Sequence, residues 1–482
     1  MKIVFTKPFV IPKQRMFVTL PSGLLYLASY LKKSKKPVDT IIFDPDIKTQ
    51  TIEEYYENII SLKPDILCVT LFSHVVKSTQ DMLYYIKSKL PDTIILIGGS
   101  HVNGTRNKVF KHIFSADYAI CGEGEKPLLE FVNQMIDYGK IKEHDKIPGL
   151  IYKNDSGIIV NPNSYTDNLD EFDPVDFNLI NIKDYFNSGS PMGLFRKGGN
   201  VAQLLTTRGC PFSCIFCASP VNMGKKVRKR SVENIVNEIE TLINAGADEI
   251  HIMDDNFTFD SSHVISVCKT IIERGIKIRF SMPNGVRLDK LNAEMLDWMR
   301  KAGWYHLGFG IEVGSDEALK KIRKGLSMKI IKEKVLLAKN AGMSTAGFFI
   351  IGFPFDTKET MLETALTPDR LGLDMGSFGN FTPLPGTEIY EELVKNNEIT
   401  DAYLPSFASG EVTYTPKGIS VAEFTKLHQR IILKYWTHPK RLWIIIKRIK
   451  PKDFVFVFRR LLQIFFRPES SDKQNCQTQP EL

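Results

Sequence analysis

In the run RGCPFSCIFC, Cys210, Cys214 and Cys217 stand at the spacing CxxxCxxC. The other four cysteines, Cys68, Cys121, Cys268 and Cys476, are scattered, so the chain carries no disulfide framework. It reads as a protein of a reducing compartment with one metal-type loop. Three thiolates on so short a loop suit a 4Fe-4S cubane: they bind three irons and leave the fourth open to another ligand. A structural zinc site is the competing use of clustered thiols, but it wants four closed ligands in C-x2-C pairs. The next candidates downstream, His251 and Cys268, are over thirty residues away.

Elements must hold this loop in place. QLLTT, directly before it, reads as a strand, and EIHIMDD, IRFSMPN, YHLGFGIE, AGFFIIGF and GSFGNFT follow as further strands, each trailed by a helical or loop segment. In SVENIVNEIETLINAG, Ser231 caps a helix, Val232, Ile235, Ile239 and Leu242 share one face, and Gly246 stops it. Six such units predict a partial (β/α)6 barrel, with chemistry gathered at the C-terminal ends of its strands.

Upstream, KIVF, TIIFD, DILCVTL, TIILIGG and YAICG read as buried strands separated by helices that begin near Ser22, Ile52, Lys77 and Glu125. That alternation predicts a doubly wound parallel sheet. KNDSGIIVNPNSYTDNLDEFDPVDF breaks the rhythm and reads as a hairpin followed by a long connector. The fold class is α/β. The 482 residues divide into a Rossmann-like domain at 1–140, a connector at 141–200, the barrel at 201–400, a helical basic region at 401–467 and a disordered tail at 468–482.

With 43% hydrophobic and 24% charged residues the composition is that of a soluble globular protein. MKIVFTKPF holds no signal-peptide core, so a cytoplasmic location is expected. The net charge of +8 is unevenly placed, since ten Lys or Arg face one Asp between Lys434 and Arg467. The remainder is near neutral, which argues against a nucleic-acid-binding surface. LWIII and DFVFVF within that stretch are too short to span a bilayer. They fit either an amphipathic helix on the inner face of a membrane or helices packed on the barrel.

The motif CxxxCxxC, with the aromatic Phe216 just before its last cysteine, resembles the radical S-adenosylmethionine (SAM) superfamily. PSGLLYLASYL, KPDILCVTLFS, IGGSHVN, ADYAICGEGE, LDEFDPVDF, MDDNFTFD, GFGIEVGS, KKIRKG, FFIIGFP and TPLPGTEIY resemble, in order and spacing, its cobalamin-binding branch from residue 1 to about 400. The resemblance implies that SAM chelates the open iron and is cleaved by one electron from the cluster, drawn from a reducing partner such as flavodoxin or ferredoxin. It implies three cofactors: the 4Fe-4S cluster, SAM and cobalamin.

Related enzymes place SAM or reaction-centre contacts where Asp254, Asp255 and Asn256 end the second strand, and SAM contacts at Glu312 on the fourth. Gly347 to Pro354 resembles the element beside the adenine, and Arg287 is a candidate partner for a carboxylate. For cobalamin, Gly98, Gly99 and Ser100 follow one buried strand, and Gly122, Glu123 and Gly124 another, where glycine lets backbone approach a bulky ligand. There is no DxHxxG and no His before His74, so cobalamin is expected base-off without a histidine ligand. His74 and His101 receive no role. The function implied is a methyltransferase acting on an unactivated carbon of a small-molecule or lipid substrate. The alternatives are a cyclase or rearrangement enzyme using the same cofactors, and a non-catalytic cobalamin or redox sensor.

Overall fold

Five short apolar runs form the core of the first sheet because both of their faces are covered: β1 (Lys2–Thr6), β2 (Asp39–Phe43), β3 (Ile66–Thr70), β4 (Ile94–Gly98) and β5 (Tyr118–Ile120). The computed structural model describes residues 1–10, 18–47, 51–172, 174–188, 196–400, 403–404, 412–439 and 441. The strands are parallel in the order β2-β1-β3-β4-β5, as expected of a doubly wound sheet. Alternate residues serve opposite faces. Ile3, Phe5 and Ile66 pack against Leu24, Leu128 and Phe131 of the helices Ser22–Tyr30 and Glu125–Tyr138, while Val4, Leu67 and Val69 pack against Ile59, Leu83 and Ile86 of the helices Ile52–Leu62 and Val76–Lys89.

The hairpin assigned to the connector belongs to this sheet. Strands β6 (Leu150–Asn154) and β7 (Gly157–Val160) add antiparallel to β5, pairing Ala119 with Ile151. Leu150 and Ile151 are fully buried and complete one core each, which is why the hairpin docks there.

The second sheet carries the cysteine loop. After β8 (Val201–Leu204) come a two-residue antiparallel ladder of β9 (Thr207–Arg208) with β10 (Arg228–Lys229), then β11 (Glu249–Ile252), β12 (Arg279–Val286), β13 (Trp304–Glu312), β14 (Ser344–Ile351) and β15 (Met375–Asn380). The six strands β8 and β11–β15 pair in parallel in chain order, forming the expected partial barrel. QLLTT is not one strand, since β8 ends at Leu204 and Thr207 joins the ladder.

Among the described residues no helix is long and apolar enough to cross a membrane. The helix Val421–Trp436, capped by Ser420 with Glu423, buries Phe424, Ile431 and Tyr435 against the barrel. Arg441, counted in the basic region, is not a solvated charge. It is 1% exposed, donates to the Leu373 and Asp374 carbonyls and pairs with Asp369 at 2.5 Å. LWIII, DFVFVF and the 468–482 tail lie outside the described residues.

The two sheets meet at a seam of backbone contacts. A Cβ on Gly104, in the helix Ser100–Thr105 after β4, would sit 2.2 Å from the Pro385 carbonyl oxygen, so only glycine lets TPLPGTEIY pass. This close approach brings the C-terminal ends of the first sheet against the cysteine side of the second.

Candidate active site

The cysteine loop is set by backbone geometry before any metal is considered. It leaves β9 at Gly209, whose φ is +96° and whose Cβ would lie 2.0 Å from the Lys226 carbonyl oxygen. Cys210 N donates to the Gly224 carbonyl (3.1 Å), Ile215 N to that of Ile322 (3.3 Å), Cys217 N to that of Cys214 (3.2 Å), and Ile389 N to that of Ile215 (3.1 Å). All three thiols are free and half-buried. Burial pushes the Cys210 and Cys214 thiols up, while the Lys324 and Arg287 charges pull Cys214 back. Among the described residues no three His, Cys, Asp or Glu converge to hold a single metal ion. A cubane does not require such convergence, because each thiolate takes a different iron.

The loop after β11 supplies the next wall. Asp255 and Asn256 both bear on the Cys210 thiol: the Asp255 charge raises it, and a hydrogen bond from the buried Asn256 side chain lowers it. Asp254 does a different job from the cofactor contact expected of it. It is 3% exposed and accepts from Thr206 N (2.6 Å), Thr207 Oγ1 (2.9 Å) and Thr206 Oγ1, so it braces the bend between β8 and β9.

Burial pushes Asp254 up to about 6 despite these bonds. Because its pKa in the folded chain is raised, ionisation costs stability, and the cost grows as pH rises from about 4 to about 7. Asp254→Asn keeps an acceptor for Thr206 N, and hydroxyls can accept from the new amide. Its stability in urea is therefore expected to gain on the wild type by about 2 kcal/mol across that range. Parallel pH profiles would refute this.

Glu312 ends β13 at a φ of +75°, a strained conformation for a residue other than glycine. Its Oε1 accepts from Lys324 Nζ at 2.7 Å. Burial works against the Lys324 charge, but Glu312 and Cys214 outweigh it and hold the ammonium above its usual pKa. Lys324 went unassigned in the sequence, although KKIRKG contained it. Arg287 is buried, with its guanidinium 3.3 Å above the Phe212 ring and its Nε 2.8 Å from Asp289. Phe216 stands edge-on to Phe353 with ring centres 5.6 Å apart, which ties the loop to the Gly347–Pro354 segment.

From the first domain, Gly98, Gly99 and Ser100 lie at the end of β4 and the start of the helix that reaches Pro385. Gly122 N donates to Asn103 Oδ1 (2.7 Å), and Asn103 Nδ2 donates to Asn222 Oδ1 (3.1 Å) in the barrel helix Ser219–Met223. The expectation for Glu123 is corrected: its carboxylate is taken by barrel residues, Arg208 at 3.1 Å and Arg228 at 2.7 Å. Burial pushes Glu123 up, but these arginines outweigh it and hold it below the usual range. His101, bonded to Ser73 Oγ and His112 Nδ1, is lowered to about 3 by burial and then by His112, so it is neutral.

Comparison with known proteins agrees with this geometry. Residues 204–367 match the model of the radical SAM superfamily, and residues 14–132 match that of the B12 binding domain. An uncharacterized methyltransferase of Pyrococcus horikoshii is 28% identical over 453 residues, 93% of this chain and 94% of the relative. The anaerobic magnesium-protoporphyrin IX monomethyl ester cyclase of Cereibacter sphaeroides is 28% identical over 385 residues, 79% of this chain but only 61% of that enzyme. The structure of TsrM, a radical SAM methyltransferase from Kitasatospora setae with cobalamin and a 4Fe-4S cluster bound, aligns with a TM-score of 0.69 at 18% identity, covering 94% of this chain and 91% of TsrM. The two matched regions follow the order of its two sheets, so the chain carries a B12-binding domain followed by a radical SAM domain.

Proposed function

We propose that this chain is a cobalamin-dependent radical SAM methyltransferase acting on an unactivated carbon of a small-molecule or lipid substrate. The observation that carries the reading is the juxtaposition of two sheet ends, one bearing the cysteine loop and the Glu312–Lys324 pair, the other the Gly98–Ser100 and Gly122 loops. When bound, the three cofactors supply one-electron cleavage of SAM and carriage of a methyl group. Cys210, Cys214 and Cys217 hold three irons. Glu312 offers an acceptor and Lys324 a cation to the amino acid end of SAM, while Asn256 stands at the Cys210 thiol. Phe216 and Phe353 wall the loop on its apolar side. Gly98, Gly99, Ser100 and Gly122 leave backbone accessible to a corrin.

Ring formation with the same cofactors is the second reading, favoured by the likeness to the anaerobic cyclase. Product analysis separates the two. The anaerobically reconstituted chain, supplied with reductant, SAM and hydroxocobalamin, is expected to release 5′-deoxyadenosine together with S-adenosylhomocysteine. Only methyl transfer makes the latter, so its absence during turnover would leave the cyclase reading, and absence of any SAM cleavage would leave a sensor. A flavodoxin or ferredoxin fits the need for a one-electron donor. Peripheral membrane contact through residues 442–467 remains part of the proposal, tested by salt-dependent sedimentation with anionic liposomes.

A further inference from the structure

We propose that Arg208 is a positioning residue that sets the cysteine loop against the cobalamin-binding domain, an inference that rests on the reading above. The ladder of β9 and β10 pairs Arg208 directly with Arg228. Like charges on opposed strand positions destabilise a pair, and here both side chains are buried, at 9% and 2% exposure. The neutralising charges come from the other domain. Glu123 lies 3.1 Å from Arg208 through Oε1 and 2.7 Å from Arg228 through Oε2, and Glu125 Oε1 lies 2.6 Å from Arg208. Both carboxylates sit where β5 leads into the helix Glu125–Tyr138.

Two guanidiniums and two carboxylates thus form one closed group, and neither half is satisfied alone. The Arg208 guanidinium is also held between the rings of Tyr26 (5.3 Å) and Phe172 (4.8 Å). A cavity of about 10 Å³ beside it has room for at most one water. Arg228 carries the restraint onward, donating to the Thr166 and Met223 carbonyls next to the Gly224 carbonyl that receives Cys210 N. Arg208 itself stands two residues before Cys210. The planar guanidinium meets Glu123 and Glu125 through two separate nitrogens in a fixed fork, a geometry that the single ammonium nitrogen of a lysine does not reproduce. What this joint fixes is the placement of the first metal ligand relative to the cobalamin domain.

The test measures that placement directly. The full-length chain is loaded anaerobically with iron, sulfide and hydroxocobalamin and reduced. The magnetic dipolar coupling between the reduced cluster and cob(II)alamin is then recorded by pulsed electron paramagnetic resonance. The wild type is expected to give one narrow coupling. Arg208→Lys keeps the charge without the fork, and Glu125→Gln removes one carboxylate isosterically. Both are expected to broaden the coupling while loading both cofactors. The yield of S-adenosylhomocysteine per 5′-deoxyadenosine is expected to fall by about 100-fold, the scale of a misplacement near 1 Å. Arg208→Gln that binds cobalamin but assembles no cluster would equally support the joint; if it fails to fold, the two milder variants decide. Wild-type coupling and product ratio in both milder variants would overturn the inference. A wild-type chain that loads neither cofactor would instead remove the functional reading beneath it.

Discussion

Replacing Cys210, Cys214 and Cys217 together with alanine is expected to erase the iron-sulfur absorbance of the reconstituted protein and to bring 5′-deoxyadenosine formation down to that of a sample without enzyme. The loop keeps its backbone hydrogen bonds to Gly224, Ile322 and Ile389 when the thiols are removed, and Phe216 anchors it against Phe353, so the substitutions leave the fold in place. No thiolate would remain to hold iron, and the scattered Cys68, Cys121 and Cys268 are buried in the sheets and helices. Circular dichroism of the apoprotein should match the wild type, which separates loss of the cluster from loss of the fold. SAM cleavage by the triple variant would end the assignment of the cluster to this loop.

Lys324→Met is expected to have the second largest effect, because it strands the Glu312 carboxylate where each partner's side chain is only 11% exposed. Breaking a buried pair on one side costs about 3 kcal/mol, read as a lower urea midpoint. SAM cleavage should fall by about 100-fold, since the cation offered to the amino acid end of SAM is gone. The double variant Lys324→Met with Glu312→Gln removes both charges. It is expected to recover most of the stability and none of the activity, a split that a purely structural salt bridge would not show. Wild-type cleavage by Lys324→Met would sink the role.

Features carried by local patterns were legible in the sequence. β1, β3 and β4 are continuous apolar runs, Ser231 caps the helix that follows it, and CxxxCxxC is a spacing within one loop. What escaped depends on contacts between distant residues. The hairpin of β6 and β7 looked like a connector because its pairing with β5 needs two segments some thirty residues apart to meet. Glu123 looked like a cofactor loop residue because its partners stand 85 and 105 residues away. Lys324 was passed over because a lysine in a basic run reads as solvated, and only the fold turns it toward Glu312 and Cys214. Arg441 was counted in a surface charge for the same reason, although the barrel buries it.

The joint around Arg208 also dictates an order of assembly. Tyr26 receives a hydrogen bond from Arg230 across 204 residues of chain, and Glu123 meets Arg228 across 105. Contacts so far apart in sequence close late, after each half has collapsed on its own local contacts. The first sheet leaves the ribosome whole before the cysteines do, so it can stand ready as a template while the barrel is still growing. Refolding should accordingly show a slow docking phase after the two sheets form, in which the seam around Arg208 and Glu123 closes. Maturation is therefore ordered in time, with the ladder that leads into the iron-binding loop seated last against a surface made first.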